Sequence, residues 1–197
     1  MNKPNNFQRI RDLNTVQKAS LAAALLERML PNYALFSEAL EFGDAEVLNN
    51  ALALCWEKIL LPKSKISIEK LVEKVEPNVP EVNDFDVFGV YPAIDAATAL
   101  LTLLQGLQSK EDQEFVNVCK IAQGTVARLV EYQFELEEQT YTSKDVNQHP
   151  LMEYEISVLS ELIDFVEAMG RLDKDNAKAL RKLAVADGQT NIGVEIA

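Results

Sequence analysis

PAIDAATALLTLLQGL, residues Pro92–Leu107, decides the fold. At helical spacing its Ala, Ile and Leu residues fall on nearly every face, and a helix apolar all round is buried at the centre of a larger protein. Pro92 suits a first helical position. The polar exceptions are few: Asp95, Thr98, Thr102 and Gln105 follow one another at three, four and three residues and form a single stripe.

Working outward, the flanking segments carry the same period. Thr15–Leu30 places apolar residues three and four apart, and Pro31 reads as the start of a new helix, Asn32–Phe42. Gly43 and Asp44 form a stop followed by a cap for Asp44–Leu61, which Pro62 ends. Ser67–Val75 is a shorter helix, and Glu76–Gly89, with Pro77, Pro80 and several Asn and Asp, is the longest irregular connection. Beyond the central stretch, a long helix runs from Ser109 towards Gln139. Thr140–His149 is a polar loop, Pro150–Met169 is a helix, and Lys174–Ala186 is the last, capped by Asp173. Strand alternation occurs only at residues 190–197, read as an extended tail packed on the bundle, with pairing to a second copy as the alternative. The expectation is a single all-α domain over residues 1–197, with seven or eight helices around a central hydrophobic one.

With 197 residues the chain is long enough to fold without disulfides. Its two cysteines, Cys55 and Cys119, sit on apolar helical faces and read as buried thiols. No stretch free of charge reaches the ~18 residues of a membrane span, and Ala19–Leu26 runs into Glu27 and Arg28 with no cleavage site. A cytoplasmic protein is expected. The 31 acidic against 19 basic residues, a net charge of −12, argue against binding a bare phosphate backbone. Residues 1–98 hold 10 basic and 14 acidic side chains, and residues 99–197 hold 9 and 17. Glu131, Glu135 and Glu138 line one helix face, which reads either as a solvated surface or as a dock for a basic partner.

Motifs for catalysis are missing: there is no GxSxG, GxxxxGK, GxGxxG or HExxH. A single histidine excludes the carboxylate-bridged di-metal bundle, which needs two Glu-x-x-His pairs. Asp145, His149 and Glu153 are spaced by four, but Pro150 disfavours helical geometry at His149. No metal and no cofactor are expected. The richest cluster of polar groups is Asp84, Asp86, Tyr91 and Asp95 at the start of the central helix, continued by Thr98 and Thr102. One reading is a ligand pocket with Asp95 as its charged end. The other is structural, with Asp95 complementing the helix dipole and the threonines bonding back to their own helix.

The blocks ERMLPNYALF (27–36), EFGD (41–44), DFDVFGVYPAIDA (84–96) and TNIGV (190–194) resemble the YjaG family, helical gammaproteobacterial proteins classed as a domain of unknown function. The resemblance implies a multihelical fold in a bacterial cytoplasm and transfers no catalytic residue. The leading expectation is therefore a non-enzymatic interaction or regulatory protein that binds an unidentified protein or itself as a homo-oligomer. The competing one is a small-molecule binder or enzyme using the Asp84/Asp86/Tyr91/Asp95 cluster. A third reading, imitation of nucleic acid, needs carboxylates spaced like phosphates on one face.

Overall fold

The computed structural model describes residues 5–196, which form nine α-helices and no strand. They are α1 (Asn6–Asp12), α2 (Thr15–Leu40), α3 (Ala45–Leu60), α4 (Ile68–Val75), α5 (Val90–Ser109), α6 (Asp112–Leu136), α7 (Ser143–Asn147), α8 (Pro150–Ala168) and α9 (Lys174–Ala184). The starts follow from local chemistry. Asn14 and Gln17 close a reciprocal capping box on α2, while Asp44, Ser67 and Asp173 cap α3, α4 and α9 with side-chain oxygens.

α5 is the central helix, with Ala93, Ala97, Leu100 and Leu104 fully buried. It packs against α2, α3, α4 and α6, so its membrane-like length and apolarity are spent on these neighbours. Thr15 and Val16 lie beside Gly106–Lys110 at one end, and Leu35–Leu40 beside Gly89 and Pro92 at the other. α2 and α5 therefore run antiparallel, and α2, at 1.5 Å per residue, spans about 39 Å. Gly106 permits the close approach of α6: a Cβ there would stand 2.6 Å from the Phe115 ring. A smaller apolar cluster of Val126, Val130, Val146 and Met152 joins α6, α7 and α8.

Four expectations change. Pro31 does not restart a helix; it sits inside continuous α2, where it removes only the bond that the Glu27 carbonyl would accept. The central helix begins at Val90, so Pro92 lies in its first turn and Asp95 beyond it. The loop expected over Thr140–His149 contains α7, opened by a Thr142–Asp145 capping box. The tail is not extended. The Thr190 amide donates to the Val194 carbonyl (2.8 Å) and the Ile196 amide to Gly188 (2.8 Å), folding the chain back on itself. Ala197, the end of the expected tail, lies outside the described residues.

Both cysteines are buried, Cys55 on α3 and Cys119 on α6. Burial pushes both thiols up to about 12.

Candidate functional site

The residues singled out at the start of the central helix are placed differently from one another. Asp84 and Asp86 are exposed. Tyr91 lies beside Phe88, which stacks on Tyr132 at 4.4 Å, and the Arg128 guanidinium stands 5.1 Å from the Tyr91 ring. Asp95 is half-buried, next to Thr125 and 3.9 Å from Arg128 Nε, both on α6. Burial raises its pKa above the ordinary carboxyl range, with Thr125 and Arg128 pulling the other way. Thr102 donates to the Thr98 carbonyl at 2.8 Å, and Thr98 is exposed. His149 caps α8 by accepting from the Leu151 amide, and Asp145 serves its own capping box. Among the described residues no three His, Cys, Asp or Glu side chains gather closely enough to hold a metal ion.

The sequence blocks that stood out, far apart along the chain, meet around the second half of α2. Arg28, only 1% exposed, donates to Glu155 of α8 (2.5 Å), to Asp187 (2.9 Å) and to the Ala184 carbonyl (2.7 Å). The Asn191 amide donates to the Arg28 carbonyl, and its side chain donates to the Ala122 carbonyl (3.1 Å). Asn32 Nδ2 donates to Asn191 Oδ1 (2.9 Å), while Asn32 Oδ1 is buried without a partner. Burial opposes the charge on Arg28, but two carboxylates outweigh it and raise its pKa. Burial also lifts Glu155 to about 7, more than the neighbouring guanidinium lowers it. Asp187, less deeply placed, is held below its ordinary range because the bonds from Arg28 and Tyr154 outweigh burial.

A second junction lies a turn further along. Phe36, Phe42 and Phe85, one from each of three blocks, meet edge to face at 4.9–6.0 Å. Tyr33 donates to the Asn78 carbonyl (2.7 Å), and Asn78 Oδ1 accepts from the Asp44 amide (2.7 Å). Gly43, at φ +64°, passes directly under the Tyr33 hydroxyl, where a Cβ would stand 2.2 Å from the oxygen. These contacts fix the α2–α3 turn and the Phe85–Gly89 segment against α2.

Between the two junctions opens an apolar groove of about 400 Å³. Asn32, Leu35, Phe36 and Leu40 of α2 form one side, Val87, Phe88 and Pro92 the second, and Ile192 and Val194 of the C-terminal loop the third. Leu35 is 53% exposed, and Leu40 and Val87 are also exposed. The stretches of chain that supply these three sides run without Lys or Arg over residues 29–57, 75–109 and 183–197 and hold 12 acidic residues, and Leu129 of α6 completes the lining. The other residues hold 19 acidic and 19 basic, so these segments account for the whole net charge. Glu38, Glu41, Asp86 and Glu195 are exposed and adjoin groove-lining positions in sequence. Arg128, beside Leu129 on α6, is the nearest cation in sequence to a lining residue and is engaged by Asp95 and Tyr91.

Sequence reading missed this groove because its walls are a few apolar residues from each of four distant segments. It also missed Arg28, taken only as the polar end of an apolar run. Two signals were present: the long intervals without any Lys or Arg, and the presence of Arg28, Leu35 and Ile192 in the recognised blocks.

Comparison with known proteins agrees with that reading of the blocks. The profile of a protein family of unknown function, DUF416, matches residues 5–195. The uncharacterized protein YjaG of Salmonella typhimurium is 34% identical over 187 residues, 94% of each chain, and that of Escherichia coli K12 is equally similar. An uncharacterized protein of Haemophilus influenzae is 32% identical over 195 residues, 95% of each chain. The crystal structure of a DUF416 family protein from Shewanella baltica superposes with a TM-score of 0.90 at 38% identity, covering 98% of this chain and 100% of that one. This chain belongs to the DUF416 family.

Proposed function

We propose that this chain is a non-enzymatic docking module whose groove, between α2, the start of α5 and the C-terminal loop, takes a protein segment of apolar side chains flanked by Lys or Arg. One observation carries the reading. An exposed apolar groove draws three of its four sides from stretches of chain that contain acids and no bases, and the cation beside the fourth, Arg128, is engaged by Asp95 and Tyr91. Apolar burial supplies the affinity of such a site, while the acidic surround selects the partner and speeds its approach. The Arg28 network supports it further, because a wall pinned by buried hydrogen bonds needs no ordering when a partner arrives.

The test is a titration with a synthetic Leu/Lys amphipathic peptide and its Leu/Glu counterpart. The lysine peptide binds, more weakly as salt rises, and Leu35→Asp with Val87→Asp abolishes binding. Equal binding of both peptides, or binding unaffected by the two substitutions, overturns the reading.

A second reading, a small-molecule binder or enzyme at Asp84, Asp86, Tyr91 and Asp95, is favoured by the raised pKa of Asp95 beside Tyr91 and Arg128. Asp95 is not among the groove-lining residues. A metabolite that raises the melting temperature of the protein but not of Asp95→Asn would support this reading instead.

A further inference from the structure

We infer that the groove accepts a loop from a second copy of this chain, Leu61–Lys65 between α3 and α4, so that the molecules associate head to tail. The inference rests on the docking reading above and names its occupant. The loop has the chemistry that the groove selects. Leu61 is 55% exposed, followed by exposed Pro62, Lys63 and Lys65. Residues 58–74 hold five lysines against two glutamates, the opposite sign to the segments around the groove.

The loop is also preformed. The Ser64 amide donates to the Leu61 carbonyl at 2.8 Å, closing a turn with Pro62 at its second position. Lys58 Nζ donates to the Ser64 carbonyl at 2.9 Å and ties the turn to the end of α3. A leucine presented on a closed turn loses little freedom when it docks.

Geometry forbids the loop from reaching its own groove. Pro62 lies beside Val16 at the start of α2, and Leu35–Leu40 line the groove at its end. Val16 and Leu35 are about 29 Å apart along the helix. The contact is therefore between molecules, and because its two faces differ it is heterologous, propagating as a chain or closing as a ring. A symmetric groove-to-groove dimer would set two acidic surrounds against each other.

Sedimentation velocity on the full chain decides the matter. At ~20 mM salt the weight-average mass rises with concentration, and at ~500 mM it returns to the monomer. Leu61→Asp disables the loop and leaves the groove, whereas Leu35→Asp with Val87→Asp disables the groove and leaves the loop. Each variant alone stays monomeric, and an equimolar mixture gives a dimer and nothing larger, since only one competent pair remains. Lys63→Glu with Lys65→Glu repeats the loss without touching an apolar contact. A wild-type chain that stays monomeric at low salt, association that survives Leu61→Asp, or a mixture that stays monomeric overturns the inference. If the lysine peptide still binds the groove in that case, the docking reading stands and only the identity of the occupant falls.

Discussion

About two helical turns of α2 separate Arg28, a cation sealed in the interior, from Leu35, a leucine left in solvent. Each reverses the usual sorting of charge outside and hydrophobe inside. The same two blocks of sequence build both places. ERMLPNYALF gives Arg28 and Asn32 to the buried network, and Leu35 and Phe36 to the groove. TNIGV gives Thr190 and Asn191 to the network, and Ile192 and Val194 to the groove. The comparison teaches that the two exceptions are one construction. Polar groups inside hold a loop whose apolar side chains then stay half-buried along the groove, at fixed positions.

Breaking the buried half should have the larger effect on stability. Arg28→Leu leaves Glu155 and Asp187 without their cation and costs about 3–5 kcal/mol. The melting temperature then falls by roughly 10 °C, read by circular dichroism. The double variant Arg28→Leu with Glu155→Leu recovers part of the loss, since only Asp187, the less buried of the two carboxylates, is left without its cation.

Glu155 gives the comparison a pH dependence. Its pKa rises from 4.5 to about 7 on folding. Between those values the folded chain holds a proton that the unfolded chain has released. The stability this group contributes is therefore full below the unfolded value and is lost as pH rises through 7. Glu155→Gln removes that dependence, flattening denaturant-measured stability by ~2 kcal/mol between about pH 5 and pH 8.

Asn191→Ala separates the two halves further. It strands the Asn32 side-chain amide, removes the extra bond to the Ala122 carbonyl and costs about 1–2 kcal/mol by chemical denaturation. Hydrogen exchange at Ile192–Val194 rises more than exchange in α5, because the wall loosens while the centre stays packed. The smallest effect on stability belongs to the exposed half. Leu35→Asp and Val87→Asp change it by no more than about 0.5 kcal/mol, while binding is lost.

What could be read from the sequence follows the same division. The all-α class was legible because α5 is apolar on all but one narrow stripe, and caps such as Asp44 and Asp173 state their role locally. Pro31 misled because a proline's missing donor suits a helix start, yet packing of α2 on both sides carries the helix through it. α7 was missed because five residues are too few to show a period. Arg28 was illegible for a different reason: its carboxylate partners lie 127 and 159 residues away, and nothing near Arg28 announces them. Asp84, Asp86, Tyr91 and Asp95 were found as a cluster in sequence, but contacts from α6 to Tyr91 and Asp95, through Thr125 and Arg128, belong to topology.

The two buried cysteines make the chain its own clock for opening. Their thiols are closed to solvent and pushed up to about 12, so an alkylating reagent reacts only when the surrounding helices part. Cys119 lines the small void beside Glu155 and Asn191, next to the C-terminal loop, whereas Cys55 lies on α3. The ratio of the two modification rates therefore distinguishes release of that loop from unfolding of the whole, without a label being introduced.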